Sequence, residues 1–308
     1  MLPEFKSLVE MLDRFPTEQS CIDYLTKVRW HDKTYCPYCG SSKVYHFKNQ
    51  RTHKCGNCRQ KFSIKVGTIF EDSHIPLQKW FMAIYLITAH KKGISSVQLG
   101  KDIGVTQKTA WFMNHRLREA TKTQAFNAPL KKTVEVDETY IGGKEKNKHA
   151  DKRTPNTQGR STKTKTTAVV ILERNGELRA FHTTDTDSKT LHNLIGDNVA
   201  LGTKVMTDEY RAYQGLDTFY LHSSVNHIGG QYVIGEAHTN TAEGFFSLLK
   251  RGIIGIYHFT SKKHLQRYLN EFSFRYNLRK EANGQGFTSL LCNCNQRLTY
   301  KELIANGN

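Results

Sequence analysis

Residues 133–143 read Thr-Val-Glu-Val-Asp-Glu-Thr-Tyr-Ile-Gly-Gly. β-Branched and aromatic residues dominate this run and a glycine pair closes it, the composition of a strand. Asp137 sits at its middle, where a central strand expects an apolar residue. A half-buried carboxylate costs free energy unless a cation or hydrogen bonds compensate it. Two more strands follow, Thr-Thr-Ala-Val-Val-Ile-Leu-Glu-Arg at 166–174 and Glu-Leu-Arg-Ala-Phe-His-Thr-Thr-Asp at 177–185. Asn175-Gly176 between them is a strong hairpin turn. A basic loop from Lys144 to Lys165 joins the first strand to the second; it is expected to be solvated and able to touch phosphates. Beyond lie a helix at 188–198, a strand at 203–208 (TKVMTD), a helix from Glu209 and a short strand at 218–222 (TFYLH). A glycine-rich loop at 227–238 then leads to a helix from Thr241 to Arg251 and a further helix over 261–279. Antiparallel strands followed by alternating strands and helices predict an α/β fold, a mixed sheet flanked by helices.

Two further acids stand out. Asp208 ends the strand TKVMTD, and ligand sites of α/β sheets favour such carboxyl ends. Glu243 opens the helix after the glycine-rich loop. Three converging carboxylates, Asp137, Asp208 and Glu243, suit hard divalent cations, Mg²⁺ or Mn²⁺. Two such ions about 4 Å apart can clamp the attacking and leaving oxygens of a phosphoryl displacement. Glu135 and Asp185 are the next carboxylates to consider should either aspartate prove dispensable.

The composition points to the partner. The chain has 308 residues, with 45 Lys and Arg against 28 Asp and Glu, a net charge of +17. Such an excess favours a polyanion, most simply nucleic acid. The hydrophobic share of 38% allows real cores, and the mean hydropathy of −0.59 suits a soluble chain. The longest apolar run, Trp80 to Ala89, is too short to span a bilayer. The opening MLPEFKSLVEMLDRF carries acids and no long apolar stretch, unlike a secretory signal. No membrane partner is expected, and the location expected is cytoplasmic, associated with the nucleoid.

Upstream are two DNA-reading patterns. Cys36-Pro-Tyr-Cys39 and Cys55-Gly-Asn-Cys58 have the spacing of a zinc ribbon. Four thiolates leave no open position, so one structural Zn²⁺ is expected rather than a catalytic one. Cys21 falls in an expected helix, and Cys292 and Cys294 read as incidental. Next, Ser95–Asp102, a turn at Gly104 and Thr106–Ala120 read as a helix-turn-helix with Ala110, Met113 and Leu117 inward. Gln107, Lys108 and Thr109 are then expected to face DNA, with Arg116 and Arg118 nearer the phosphates.

With CPYCG…CGNC, VEVDETYIGG, VMTDEYRAY, HTNTAEGFFSLLKRGIIGIYH and YLNEFSFRYN in view, nearly the whole chain resembles the DDE transposases of bacterial insertion sequences, in the ISXO-like branch with an N-terminal zinc ribbon. The resemblance implies an RNase H-like core in which Asp137, Asp208 and Glu243 bind two Mg²⁺. It also implies Lys250 as the basic residue of the site, two helical turns after Glu243 and on the same face. Asn240 is the alternative third ligand, with His238 beside it. The implied activity is binding of transposon terminal inverted repeats, metal-dependent cleavage and strand transfer. Transposon-end and target DNA are the implied partners, and a homo-oligomer assembled on DNA the implied form. The expected domains are N-terminal helices (1–30), ribbon (31–66), helix-turn-helix region (67–125), catalytic domain (126–285) and a C-terminal tail (286–308). Two rivals remain: a non-catalytic DNA-binding regulator, and a tyrosine recombinase built on His264, Arg267 and Tyr300.

Overall fold

The computed structural model describes residues 5–31, 33–49, 51–122, 128–143, 147–155, 157, 161, 163–225, 238–281 and 283–305. The chain divides into two units, one of residues 1–122 with 278–308 and the other of residues 123–277.

The first unit begins with α1 (Leu8–Arg14) and α2 (Glu18–Trp30). Thr17 starts α2 through a reciprocal cap with Ser20. A three-stranded antiparallel sheet follows: β1 (Val44–His46), β2 (Thr52–Cys55) and β3 (Lys61–Ser63). Then come α3 (Leu77–Ala89), α4 (Ser96–Ile103) and α5 (Gln107–Ala120). Pro76 precedes α3 at the position where a missing N–H costs nothing. Ser95 caps α4, Gly104 ends it in the left-handed region (φ 62°), and Thr106 caps α5. Leu99, Ile103, Ala110, Met113 and Leu117 are buried, as the helical spacing predicts.

The second unit is built on five strands: β4 (Thr133–Ile141), β5 (Thr166–Glu173), β6 (Leu178–Thr183), β7 (Lys204–Asp208) and β8 (Leu221–Val225), with α6 (Ser188–Asn198) between β6 and β7. The sheet order is β6-β5-β4-β7-β8. The first three strands are antiparallel; β7 runs parallel to β4 and β8 parallel to β7. Numbered within the unit, the order is 3-2-1-4-5, an RNase H-like mixed sheet. After β8 come α7 (Asn240–Gly252), a π-helical turn at Ile253–Tyr257 and α8 (Leu265–Asn277).

Alternation along the central strands sorts the two faces. Val134, Val136, Val169, Ile171 and Val205 pack with Leu191 and Ile195 of α6. Ile141, Ala168, Val170 and Leu172 pack with Phe245, Phe246 and Leu249 of α7 and with Leu269 and Phe272 of α8. Even positions of β4 therefore face α6 and odd positions face α7. The helix expected from Glu209 is instead two 3-10 turns, Arg211–Tyr213 and Leu216–Thr218. Gly215 in the left-handed region (φ 89°) separates them. The turns let Ala212, Tyr213 and Leu216 plug the α6-side core. Leu216 O accepts from the N–H groups of both Phe219 and Tyr220, which delays the next strand to Leu221.

From Leu278 the chain belongs to the first unit again, through α9 (Asn283–Cys292) and α10 (Tyr300–Ile304). Phe287 is fully buried there, its ring 5.2, 5.9 and 5.3 Å from those of Phe5, Phe15 and Phe81. The segment read as a tail is thus a packed part of the unit that holds α3 and α5.

Candidate active site

The acids of the second unit come together on the α7 side of the sheet. Parallel pairing sets Glu135 of β4 opposite Met206 of β7. Continued two residues past the paired positions, that register leads Asp137 towards Asp208, and the charge of Asp208 acts on the Asp137 carboxyl. Glu243 lies in the first turn of α7. Asp137, Glu243 and Lys250 line one open cleft of about 710 Å³, with Glu138, Arg251 and Ile254 around them. The buried faces of Phe245, Phe246 and Leu249 hold α7 on the sheet, so Glu243 and Lys250 face outward together.

Electrostatics mark the same point. Burial pushes the Asp137 carboxyl up to about 8, reinforced by the negative charges of Glu138, Asp208 and Glu243. The N–H of Glu138 donates to Asp137 Oδ1 at 2.8 Å and opposes the rise. Asp208 Oδ1 accepts from the N–H of Tyr210 at 3.0 Å, which fixes it at the strand end. A carboxyl raised first by burial and then by neighbouring carboxylates is relieved by a cation. The donor set, all oxygen, suits Mg²⁺ or Mn²⁺. Glu138 points to the other face, where its Oε2 accepts from the buried Tyr213 hydroxyl at 2.8 Å.

Glu135, a spare carboxylate in the sequence, is fully buried. Its oxygens accept from Arg174 Nε at 2.7 Å, Thr241 N at 2.9 Å, Thr241 Oγ1 at 2.9 Å and Ala242 N at 3.0 Å. His238 Nδ1 lies 3.3 Å away. Thr239, the N-cap of α7, provides no side-chain cap; the Glu135 carboxylate binds the first amides of the helix instead. Position i−2 from Asp137 on one strand face was the available signal. Asp185, the other spare, is exposed and accepts from Thr190 and Thr184. Asn240 is exposed at the start of α7, and the cleft lining includes Glu243 but not Asn240. Most of the glycine-rich loop at 227–238 lies outside the described residues, as do several positions of the basic loop at 144–165.

In the first unit, Cys36 Sγ and Cys58 Sγ are 3.6 Å apart, and Cys39 Sγ and Cys55 Sγ 3.5 Å. All four sulfurs lie within 4.8 Å of one another. A disulfide needs about 2.05 Å, whereas tetrahedral Zn–S bonds of about 2.3 Å put sulfurs roughly 3.8 Å apart. The N–H groups of Asn57 and Cys58 point at Cys55 Sγ, at 3.3 and 3.4 Å, as a thiolate requires. The cluster fits zinc. Cys36→Ser is expected to lower bound zinc from one equivalent per chain to near none and to loosen residues 31–66, because ligand loss here is loss of folding free energy. Metal analysis and the ribbon's melting profile check this. Retention of a full equivalent would refute it.

The ribbon sheet has one inward and one outward face. His53 and Phe62 pack on Trp30, with ring centres 5.4 and 6.0 Å from its own. Tyr45, Lys54 and Lys61 form a row across the three strands on the other face. Phe47 stands beside them, with Lys61 Nζ 5.9 Å from its ring. In the helix-turn-helix, Gln107 and Lys108 are exposed and Thr109 half-buried. Gln107 Nε2 donates to Ser96 Oγ at 2.9 Å. Arg116 and Arg118 are not available to phosphates. Both are buried, and Arg116 donates to the carbonyls of Ile69, Glu71 and Leu298. Its fork of donors ties α5 to two distant segments, a structural use of arginine.

Comparison with known proteins follows the two units. The family profile of the ISXO2-like transposase domain matches residues 129–277, and that of the transposase zinc-ribbon domain matches residues 16–61. An uncharacterized protein in transposable element ISH50 of Halobacterium salinarum is 30% identical over 292 residues, covering 90% of this chain and 97% of that protein. The chain belongs to the ISXO2-like transposase family. A solved structure, a pre-cleavage Mos1 transpososome, matches 68% of this transposase and 75% of its own chain at 15% identity. Its TM-score of 0.28 is too low to bear on the fold. Among the described residues of the transposase, no helix is long and apolar enough to cross a membrane.

Proposed function

We propose that this transposase binds the terminal inverted repeats of its element, cleaves the DNA there in a metal-dependent reaction and joins the freed 3′-hydroxyl to target DNA. The cleft that gathers Asp137, Glu243 and Lys250 beside Asp208 carries this reading. Asp137, Asp208 and Glu243 would hold two Mg²⁺ or Mn²⁺. When bound, such ions activate an attacking oxygen and stabilise a leaving one, so no protein nucleophile is needed. Lys250 and Arg251 hold the phosphates on either side of the scissile bond, and the open cleft admits a duplex end. The partial burial of Asp137 strengthens each charge interaction there.

End recognition falls to the first unit. Gln107, Lys108 and Thr109, at the start of α5, meet base edges as a recognition helix does. The basic, aromatic outer face of the ribbon adds phosphate contacts. Arg116 and Arg118 have no part in this. A homo-oligomer assembled on two ends, working in the cytoplasm at the nucleoid, completes the proposal.

The deciding experiment uses a labelled oligonucleotide carrying the element's end. Cleavage and joining are expected in Mg²⁺ or Mn²⁺ and are expected to stop with EDTA, while end binding persists. Joining that survives EDTA with a covalent protein–DNA bond would instead indicate a tyrosine recombinase. Binding without any cleavage in either metal would indicate a regulator.

A further inference from the structure

Glu135 and Asp137 are two residues apart on one face of β4, and Thr241 and Glu243 are two residues apart at the start of α7. The Glu135 carboxylate binds Thr241 twice and Ala242 once. One buried anion therefore ties the strand that carries one acid to the helix that carries another. Arg174, at the end of β5, closes the link. It donates from Nε to Glu135 Oε1 at 2.7 Å and from a terminal nitrogen to His238 O at 2.9 Å. The guanidinium thus holds both the anion and the backbone leading into α7. A buried carboxylate in this position is costly unless it is fully satisfied. Four hydrogen bonds satisfy it, two of them from the positive end of a helix.

We propose that Glu135 and Arg174 are positioning residues that fix the distance between Asp137 and Glu243 before a divalent ion arrives. The inference rests on the metal-site reading above. Two carboxylates on separate elements pay less reorganisation on binding a shared ion if their supports are already locked. Charge and reach are both needed. Glutamine in place of Glu135 turns one acceptor oxygen into an NH₂ group facing donors. Aspartate keeps the charge but draws it back by one methylene.

The test measures Mn²⁺ binding to the full-length protein by calorimetry and electron paramagnetic resonance, at a temperature where every variant is folded. Wild type is expected to show a Mn²⁺ site that Asp137→Asn removes. Glu135→Gln is expected to weaken that site by about 10–100-fold, and Glu135→Asp by less. Amide exchange at Thr241 and Ala242 in metal-free protein is expected to quicken in Glu135→Gln. Excess Mn²⁺ is expected to restore part of the cleavage rate, which a purely structural lesion would not show. If Glu135→Gln does not fold, Arg174→Lys decides. It keeps the charge but loses the fork, and the same weakening is expected. Wild-type Mn²⁺ affinity in the folded variants would overturn the clamp alone. A wild-type protein with no Mn²⁺ site sensitive to Asp137→Asn would overturn the metal site and the clamp together.

Discussion

Asp137→Asn is expected to lower cleavage and joining by about three orders of magnitude or more, since each tenfold corresponds to about 1.4 kcal/mol and metal stabilisation of the reacting oxygens is worth several kcal/mol. The same substitution is expected to stabilise the metal-free second unit. In the folded protein the Asp137 carboxyl sits near 8, well above its ordinary value of 3.8. The folded state therefore holds this proton more tightly than the unfolded chain does. The associated stability is present below about pH 4 and is lost as the pH rises towards and through 8. At pH 8 the difference is on the order of a few kcal/mol. Wild-type protein in EDTA is expected to melt at a lower temperature at pH 8.5 than at pH 5.5. Asp137→Asn flattens that slope, and Mg²⁺ raises the wild-type melting point at the upper end. Asp208→Asn shares the loss of activity. Thermal melts across this range, beside cleavage assays, check both halves. An active Asp137→Asn enzyme would remove the residue from the reaction, and a wild-type melting point that does not fall with pH would contradict the crowding of acids around it.

Glu243 and Lys250 line the same cleft from the same helix, but their losses are expected to look different. Glu243→Gln removes a ligand charge, so single-turnover cleavage fails at every DNA concentration while end binding is unchanged. Lys250→Ala leaves the acids in place and loosens the phosphate next to the scissile bond. Misplacement by about 1 Å costs on the order of a hundredfold in rate. Lys250→Arg returns the charge with a different geometry, so part of the rate returns with it. Single-turnover rates at saturating and subsaturating end DNA separate these outcomes. A Lys250→Ala enzyme as fast as wild type would make Lys250 an ordinary surface lysine of an amphipathic helix.

Local chemistry was readable in the sequence; long-range partnership was not. Paired Cys-x-x-Cys turns, the two helices joined at Gly104, and the alternating run around Asp137 each carry their meaning within a few residues. The structure has them where the pattern puts them. Arg116 shows the limit. A basic residue on a recognition helix looks like a phosphate contact, but its partners are carbonyls 47, 45 and 182 residues away. Nothing in the local pattern distinguishes the two uses. Glu135 stands out in the sequence only as a spare carboxylate for the same reason, because its partners are helix amides more than 100 residues on. The turns after Asp208 resemble a helix in the sequence because Ala212, Tyr213 and Leu216 recur at nearly helical spacing, while Gly215 allows the chain to bend between them.

The second unit is an insertion inside the first, because α9 packs with α2, α3 and α5, and Tyr300 of α10 meets Phe112 of α5. Synthesis proceeds from the N-terminus, so the ribosome finishes the five-stranded sheet before it delivers the last pieces of the first unit. Until Leu298 emerges, Arg116 lacks one of its three carbonyls, and until Phe287 emerges, the ring cluster around Phe15 and Phe81 has a gap. A chain interrupted after α8 therefore retains every acid of the cleft but has an unfinished first unit. If the first unit reads the transposon end, as proposed, such a product keeps the acids of the cleft and loses its hold on the DNA.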